Sequence, residues 1–193
     1  MKYILASQSP RRQELLKFVI KDFQCLPADI EEILPKCIDP FFAPEYLSVQ
    51  KCMHIAKQHP TDFVIGSDTA VFLGDIMLGK PKNREDAKMM LKLLSGNTHK
   101  VITGCAFCYK GNTYSFSDTS LVEFYHLSDR EIEEYLDTGE YKDKAGAYGI
   151  QGFGSVLVRR IDGDFFNIVG LPVARLKREM QKFIENVITN EEK

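Results

Sequence analysis

Residues Phe63–Lys80 read FVIGSDTAVFLGDIMLGK, and this stretch decides the class of fold. An apolar, β-prone run, Phe63–Gly66, predicts a buried strand that leads into the polar residues Ser67-Asp68-Thr69. Two further apolar runs then flank Gly74-Asp75, a dipeptide that favours a hairpin turn. The sequence therefore predicts a sheet in which an acid stands at the end of a buried strand.

Helix and strand patterns alternate on both sides of this stretch. The predicted helices are Pro10 to about Phe18, Pro44–Gln58, Arg84 to about Leu94 after the cap Asn83, a helix with a Ser128–Glu131 capping box that stops at Gly139, and an amphipathic helix from Pro172. The predicted strands are Tyr3–Ala6, Phe23–Pro27, Lys100–Tyr109, Thr113–Tyr125 and Val156–Ile161. The long runs on either side of Gly111 predict an antiparallel pair, and the alternation predicts parallel pairing. The expected fold class is α/β, with a long mixed β-sheet flanked by helices.

The composition is that of a globular protein, with 44% hydrophobic and 27% charged residues. A length of 193 residues suits one domain over 1–193, built as two lobes, with a polar tail at 190–193. A net charge of −2 argues against broad binding of nucleic acid, which needs many contacts from Lys and Arg to phosphate. No apolar run approaches the roughly 20 residues of a membrane helix, so we expect no membrane partner.

The five cysteines form no dense framework, and their odd number favours a reduced, cytoplasmic protein. Cys105 and Cys108 have the spacing of a zinc or redox pair, but no second pair and no nearby His completes a zinc site. Both lie in a predicted strand, where residues three apart face opposite sides. A structural role is therefore the better interpretation.

The turn before the first helix has the features of an anion site. In Ser7-Gln8-Ser9-Pro10-Arg11-Arg12, Ser9 is a good N-cap and Pro10 suits the first helical position. The free N–H groups of a helix N-terminus favour an anion, and the two serines and two arginines add donors and charge. The alternative is an ordinary capped helix with two solvated arginines.

Three other features are less specific when each is taken alone. Asp68 at a strand end suits the edge of a cleft, although a lone Asp there also serves as a turn or cap residue. Lys80 follows the predicted hairpin, which could return it near Asp68, or it is a solvated surface lysine. Asp143–Gly152 is either a flexible surface loop or a loop that lets a flat ligand approach its backbone closely.

Segments in one order across nearly the whole chain resemble the Maf family of nucleotide pyrophosphatases, also called septum formation proteins. They are Leu5–Leu16 (LASQSPRRQELL), Gly66–Val71 (GSDTAV), Gly79–Pro81 (GKP), Leu94–Gly104 (LSGNTHKVITG), Asp143–Gly152 (DKAGAYGIQG) and Val169–Val173 (VGLPV). The Asp143–Gly152 segment is similar to that of the dTTP/UTP pyrophosphatase branch. The resemblance implies a cytoplasmic, metal-dependent hydrolase of acid anhydrides that uses Mg²⁺ or Mn²⁺. It also implies a homodimer with a fold like that of inosine triphosphate pyrophosphatase, with two lobes around a deep cleft.

Site roles carry over from this resemblance residue by residue. Asp68 matches the family's proton acceptor, and Asp68 and Glu32 are the expected metal-binding residues, with Glu31 as the alternative if the register slips by one. The positions tied to base selectivity are Arg11, Thr69 and Gln151. The expected phosphate-binding residues are Ser7, Ser9, Arg12 and Lys80.

One helix departs from the family pattern, which has an Arg and then a Lys before an Ala. In strict register Val49 and His54 stand at these two positions, and Lys51 or Lys57, one turn either way, is the alternative to the missing Lys. This departure concerns one phosphate contact and leaves Asp68 and the Gln151 loop untouched.

The expected reaction converts dTTP or UTP to the monophosphate and pyrophosphate. Asp68 would orient or deprotonate a water that attacks the α-phosphorus, while Arg12 and Lys80 neutralise the phosphate charge. Two alternatives stay open: a pyrophosphatase for modified or purine nucleotides, and a non-enzymatic regulator of cell division.

Overall fold

The computed structural model describes residues 1–191. The helices are α1 (Pro10–Leu16), α2 (Ala43–Ala56), α3 (Arg84–Leu94), α4 (Asp129–Asp137), α5 (Phe165–Val169) and α6 (Val173–Glu191). The strands are β1 (Tyr3–Leu5), β2 (Gln24–Cys25), β3 (Phe63–Leu73), β4 (Ile76–Leu78), β5 (Thr98–Tyr109), β6 (Asn112–Phe124) and β7 (Val158–Asp162). The expected polar tail at 190–193 lies partly outside the described residues, and its first part continues α6.

The strands of the described chain form one mixed sheet in the order β2-β1-β3-β5-β6-β7, with β4 paired to β3. β1 pairs in parallel with both β2 and β3, whereas β3 pairs antiparallel with β4 and β6 with β7. β5 and β6 are joined by the turn at Lys110 and Gly111, both at positive φ, as a tight hairpin requires. The predicted α/β class with a mixed sheet is confirmed.

The expectation that a strand ends before Asp68 is wrong. β3 runs without interruption for 11 residues, and Asp68 lies in its interior. The strand continues through this polar stretch because the polar side chains have partners: Ser67 Oγ donates to the carbonyl of Gly170, and Asp68 Oδ1 accepts from Lys51 Nζ. A polar triplet therefore marks no turn here.

The chain divides into two compact units by its internal packing. The first comprises Met1–Asp68, Thr103–Asp118 and the stretch from Gly170, and the second comprises Thr69–Ile102 and Thr119–Val169. The core of the first unit includes Ile4, Ala6, Cys52, Ile55, Val64, Ala106 and Cys108. Phe183 of α6 adds ring contacts with Phe63 and Phe107 to this unit. The expected cleft between two lobes stays a prediction.

Two glycines let α2 approach the strands of the first unit closely. A Cβ on Gly66 of β3 would lie 2.2 Å from the carbonyl oxygen of Ser48 and 2.9 Å from Cys52 Cβ. A Cβ on Gly104 of β5 would lie 2.3 Å from the backbone nitrogen of Glu45. Only glycine fits at these two positions, and the tight packing fixes α2 against β3.

None of the described helices has both the length and the apolarity that crossing a bilayer requires.

Candidate functional site

The turn before α1 is built as the sequence predicts. Ser9 has the extended backbone of an N-cap, and its side chain accepts from the N–H of Arg12 at 3.5 Å. The N–H of Ser9 in turn donates to Ser7 Oγ at 3.2 Å. Ser7 is buried and Arg11 and Arg12 are half-buried, so the arrangement is not a capped helix with two freely solvated arginines. The turn joins a helix N-terminus to two guanidinium groups, which suits an anion.

Arg12 is anchored at a point distant in sequence. Its Nε donates to the carbonyl of Gly170 at 3.0 Å, and its Nη1 donates to Ser7 Oγ at 3.4 Å. The same Gly170 carbonyl accepts from Ser67 Oγ at 3.1 Å. Gly170 has a φ of 123°, a conformation that other residues rarely adopt. This conformation explains why the Val169–Val173 segment (VGLPV) has a glycine at this position. One carbonyl therefore fixes both Arg12 and the residue before Asp68.

Asp68 and Glu32 share one ammonium group. Lys51 Nζ lies 2.5 Å from Asp68 Oδ1 and 2.6 Å from Glu32 Oε1. The side chains of Lys51 and Asp68 are 13% and 15% exposed, so this ion pair is largely removed from water, whereas Glu32 is 52% exposed. Glu32, rather than its neighbour Glu31, makes the contact.

The charge of Asp68 also acts on Arg12. Burial lowers the pKa of the Arg12 guanidinium from its ordinary value, and the negative charge of Asp68 opposes that effect. A guanidinium stays protonated in proteins, so Arg12 remains a fixed cation. The first unit thus holds two cations, Arg12 and Lys51, around one half-buried carboxylate.

Lys51 is the residue of the candidate site that sequence reasoning did not select. Strict register put His54 at the family's Lys position and left Lys51 as one of two alternatives; the structure puts Lys51, on α2, against Asp68. Lys57, the other alternative, is exposed just beyond the end of the helix. A signal was available, because Ser48, Cys52 and Ile55 form the buried face of α2 and Lys51 borders it.

The remaining expected site residues lie in the second unit. Thr69 is half-buried in β3, Lys80 is exposed after β4, and Gln151 is exposed in the glycine-rich segment. The N–H of Gly146 donates to the carbonyl of Gly79 at 3.1 Å, so the glycine-rich segment runs beside the residue that precedes Lys80. The roles of Arg11, Thr69, Lys80 and Gln151 stay predictions.

The segment Asp143–Gly152 is held by packing, which contradicts its reading as a flexible loop. Gly146, Ala147, Tyr148 and Ile150 are buried, and Tyr148 Oη lies 2.8 Å from His99 Nε2. Asp143, Gly146 and Ala147 have positive φ, which makes a sharp change of direction at each of them. These turns place Gln151 at the surface, next to a buried stretch of the same segment.

Cys105 and Cys108 are both buried in β5 but have different neighbours. Cys105 Sγ lies 4.0 Å from Ser67 Oγ, whereas Cys108 Sγ lies 3.6 Å from Thr113 Oγ1. Burial raises the pKa of the Cys105 thiol to about 12. These contacts fit the structural role expected for the pair.

The fold and the first unit together define a class of protein. It is an α/β protein in which the N-terminus of a helix, with its arginines, lies beside two carboxylates that are bridged by a lysine. Residues 2–183 match the family described as Maf-like protein. The chain belongs to this family.

Similar proteins carry more specific names. The chain is 47% identical over 179 residues, 93% of this chain and 99% of the other, to a protein of Latilactobacillus sakei subsp. sakei named dTTP/UTP pyrophosphatase. It is 44% identical over 182 residues, 94% of this chain and 95% of the other, to a dTTP/UTP pyrophosphatase of Bacillus cytotoxicus. Among solved structures, the Staphylococcus aureus Ham1 protein matches with a TM-score of 0.48 at 15% identity, covering 65% of this chain and 73% of that one.

Proposed function

We propose that this protein hydrolyses dTTP and UTP to the nucleoside monophosphate and pyrophosphate. The observation that carries the proposal is the ion-paired cluster in which Lys51 bridges Asp68 and Glu32, with the charge of Arg12 close enough to act on Asp68. The names of relatives that are 43–47% identical over more than nine tenths of the chain support the substrate class.

The reaction is a displacement at the α-phosphorus. The oxygen of water forms a bond to the α-phosphorus, the bond from that phosphorus to the bridging oxygen breaks, and pyrophosphate leaves with the electron pair. Asp68 accepts the proton of the attacking water, which is the role of a positioned carboxylate base. Phosphoryl transfer depends on positioning and charge neutralisation more than on covalent chemistry, and Arg12 and Lys80 supply the positive charge.

The donors in the first unit fit a hard divalent cation. Asp68 and Glu32 provide carboxylate oxygens within reach of the same Lys51 nitrogen, and Mg²⁺ is commonly held by one or two carboxylates together with substrate oxygens and water. We therefore propose Asp68 and Glu32 as the residues that hold the cation. Bound there, it would supply positive charge to the phosphates.

Gln151 is proposed to select the base. Uracil and thymine present a carbonyl acceptor beside an N–H donor, and a glutamine amide offers the matching donor and acceptor. A site that leaves polar groups unpaired with the wrong base discriminates by roughly 10⁴-fold. Arg11 and Thr69 are proposed to assist Gln151.

The experiment is a panel of dTTP, UTP, CTP, GTP and ATP, scored by pyrophosphate release in the presence of Mg²⁺ and then of Mn²⁺. We expect kcat/KM to be highest for dTTP and UTP. Asp68→Asn, which keeps the side chain's size but removes its basicity, should lower kcat by roughly 10²–10⁴-fold.

The other outcomes are equally specific. Equal rates on UTP, CTP and GTP would exclude the pyrimidine assignment, and a preference for a purine or modified nucleotide would favour the alternative pyrophosphatase. Near-wild-type turnover by Asp68→Asn would remove Asp68 from the role of base. No turnover of any nucleotide would favour the regulator of cell division.

A further inference from the structure

The carboxylate of Glu140 is inserted into the turn that carries Gln151. Glu140 follows α4, and its Oε2 accepts from the N–H of Gly154 at 2.9 Å. Its backbone carbonyl accepts from Lys144 Nζ, which ties the start of the glycine-rich segment to the same residue. Glu140 therefore contacts the segment before and after Gln151.

The Glu140 carboxylate lies against two glycines, Gly149 before Gln151 and Gly152 after it. A Cβ on Gly152 would lie 1.9 Å from Glu140 Oε1, and a Cβ on Gly149 would lie 2.8 Å from the same oxygen. Neither glycine has a positive φ. The Glu140 carboxylate occupies the space that a Cβ on Gly152 would need, and Glu140 and Lys144 together occupy the space beside Gly149.

The other end of the turn has its own anchor. The N–H of Gly149 donates to Tyr135 Oη at 3.1 Å, and Tyr135 is buried in α4. The backbone from Gly149 to Gly154 is thus held at both ends by side chains from α4 and the residues just after it. The side chain of Gln151 is exposed, so this backbone fixes the position of its Cα and Cβ, from which the amide extends.

We propose that Glu140 is a positioning residue for base selection, which holds the Gly149–Gly154 backbone so that the Gln151 amide faces the pyrimidine edge. The inference rests on the proposed function, since it assigns the origin of that function's selectivity. Glu140 needs no contact with the nucleotide, because it acts through the backbone on either side of Gln151.

The test compares Glu140→Ala with Glu140→Gln, which keeps an oxygen that can accept from the N–H of Gly154. We expect Glu140→Ala to lower the ratio of kcat/KM for UTP over CTP by roughly ten- to hundredfold, because misplacing a binding group by about 1 Å has an effect of that size. The loss should come from a higher KM for UTP, with kcat little changed. Glu140→Gln should retain most of the wild-type ratio.

Two further measurements separate this role from a general loss of structure. Glu134→Ala is the matched control, because Glu134 is an exposed acid on α4 whose partner is the exposed Arg130. Amide hydrogen exchange should become faster in residues 149–157 of Glu140→Ala and stay unchanged in Glu134→Ala. Gly152→Ala should lower selectivity in the wild-type background and have little further effect in Glu140→Ala, where the clashing carboxylate is gone.

Two results would overturn the proposal: an unchanged UTP-over-CTP ratio in Glu140→Ala, even if both rates fall together, or unchanged exchange in residues 149–157. A wild-type enzyme without preference for UTP would instead overturn the proposed function. The exchange measurement uses no substrate, so the hold of Glu140 on the turn is judged separately from the reaction.

Discussion

Lys51 contacts two carboxylates at once, those of Asp68 and Glu32. Removing its ammonium group leaves Asp68 and Glu32 as neighbouring like charges, one of them only 15% exposed. Breaking a largely buried pair by removing one partner is costly because the other charge stays uncompensated. Lys51, which does not stand at either position of the family's strict register, is therefore the residue of α2 that compensates the charge of Asp68. Val49 and His54 stand at those two positions.

We predict that Lys51→Met lowers kcat/KM for UTP by roughly 10²-fold or more, since it removes both the partner that orients Asp68 and one positive charge. Lys57→Met is the matched control, because Lys57 is an exposed lysine less than two turns further along the chain. Steady-state pyrophosphate release measures both. Equal effects of the two substitutions would show that general positive charge, not the contact with Asp68, is what counts.

His99 gives a residue-scale prediction about pH. It is 1% exposed, its Nε2 lies 2.8 Å from Tyr148 Oη, and its ring packs edge-on against Phe124. Burial lowers its pKa to about 4, whereas an unfolded chain has a histidine pKa of about 6.5. Between these two values the unfolded state binds more protons than the folded state, so stability falls as pH falls through this window.

The expected loss between pH 6.5 and 4 is at most about 3 kcal/mol, the size that this difference in pKa implies. Urea unfolding at a series of pH values measures it, in wild type and in His99→Gln. Surface carboxylates such as Glu133, whose pKa is lowered by hydrogen bonds to Lys88 and Arg84, add a loss at low pH that both proteins share. A wild type and variant with the same pH dependence would show that His99 does not stay neutral on folding.

At the scale of the element, the contact between α2 and β3 places Lys51 beside Asp68. We predict that Gly66→Ala destabilises the protein by about 1–3 kcal/mol, since the new methyl group meets the backbone of Ser48 and Cys52 rather than a movable side chain. It should also lower kcat, because α2 must move and carries Lys51 with it. Urea unfolding and pyrophosphate release together check both effects.

Gly79→Ala is the control for stability, because its Cβ would meet open space and its φ is not positive. It should leave the free energy of unfolding unchanged or raise it slightly, by restricting the unfolded chain. A Gly66→Ala protein as stable as wild type would mean that α2 tolerates displacement, and that the close approach does not set the position of Lys51.

The elements that the sequence predicted well are those with local signals. Ser9, Asn83 and the Ser128–Glu131 capping box begin their helices as expected, because each cap is satisfied by a backbone N–H within three residues. The continuity of β3 was not predictable in this way. Ser67 depends on Gly170, more than 100 residues away in the chain, and Asp68 depends on a helix whose register the motif did not fix.

The candidate site likewise contains residues that a local motif identifies and residues that only tertiary contacts identify. Motif order across the chain was enough to select Ser7, Arg12, Asp68 and Glu32, which lie in the first unit. It was not enough to select Lys51, nor to show that Glu140 fills the space beside Gly149 and Gly152. Contacts of this kind come from tertiary packing, and a spacing pattern along the chain does not record them.

At the scale of the whole molecule, the proposed function predicts that a bound nucleotide stabilises the folded protein. Asp68, Arg12 and Glu32 belong to the first unit, and Lys80 and Gln151 belong to the second. A ligand that binds only the folded protein stabilises it by about 2.7 kcal/mol at a concentration of 100 times Kd. For a chain of this size that corresponds to a rise in Tm of roughly 5–10 °C.

We therefore predict that a non-hydrolysable α,β-imido analogue of UTP raises Tm by this amount with Mg²⁺ present, and that the matching CTP analogue at the same concentration raises it less. Amide exchange should slow both in residues 9–12 and in residues 149–154, because the phosphate chain is assigned to the turn before α1 and the base to Gln151. Protection confined to one of these two segments would refute the assignment of phosphate and base, whatever the change in Tm. The Asp68→Asn variant should be stabilised less than wild type by the analogue with Mg²⁺ present, because Asp68 is proposed to hold the cation as well as to accept the proton.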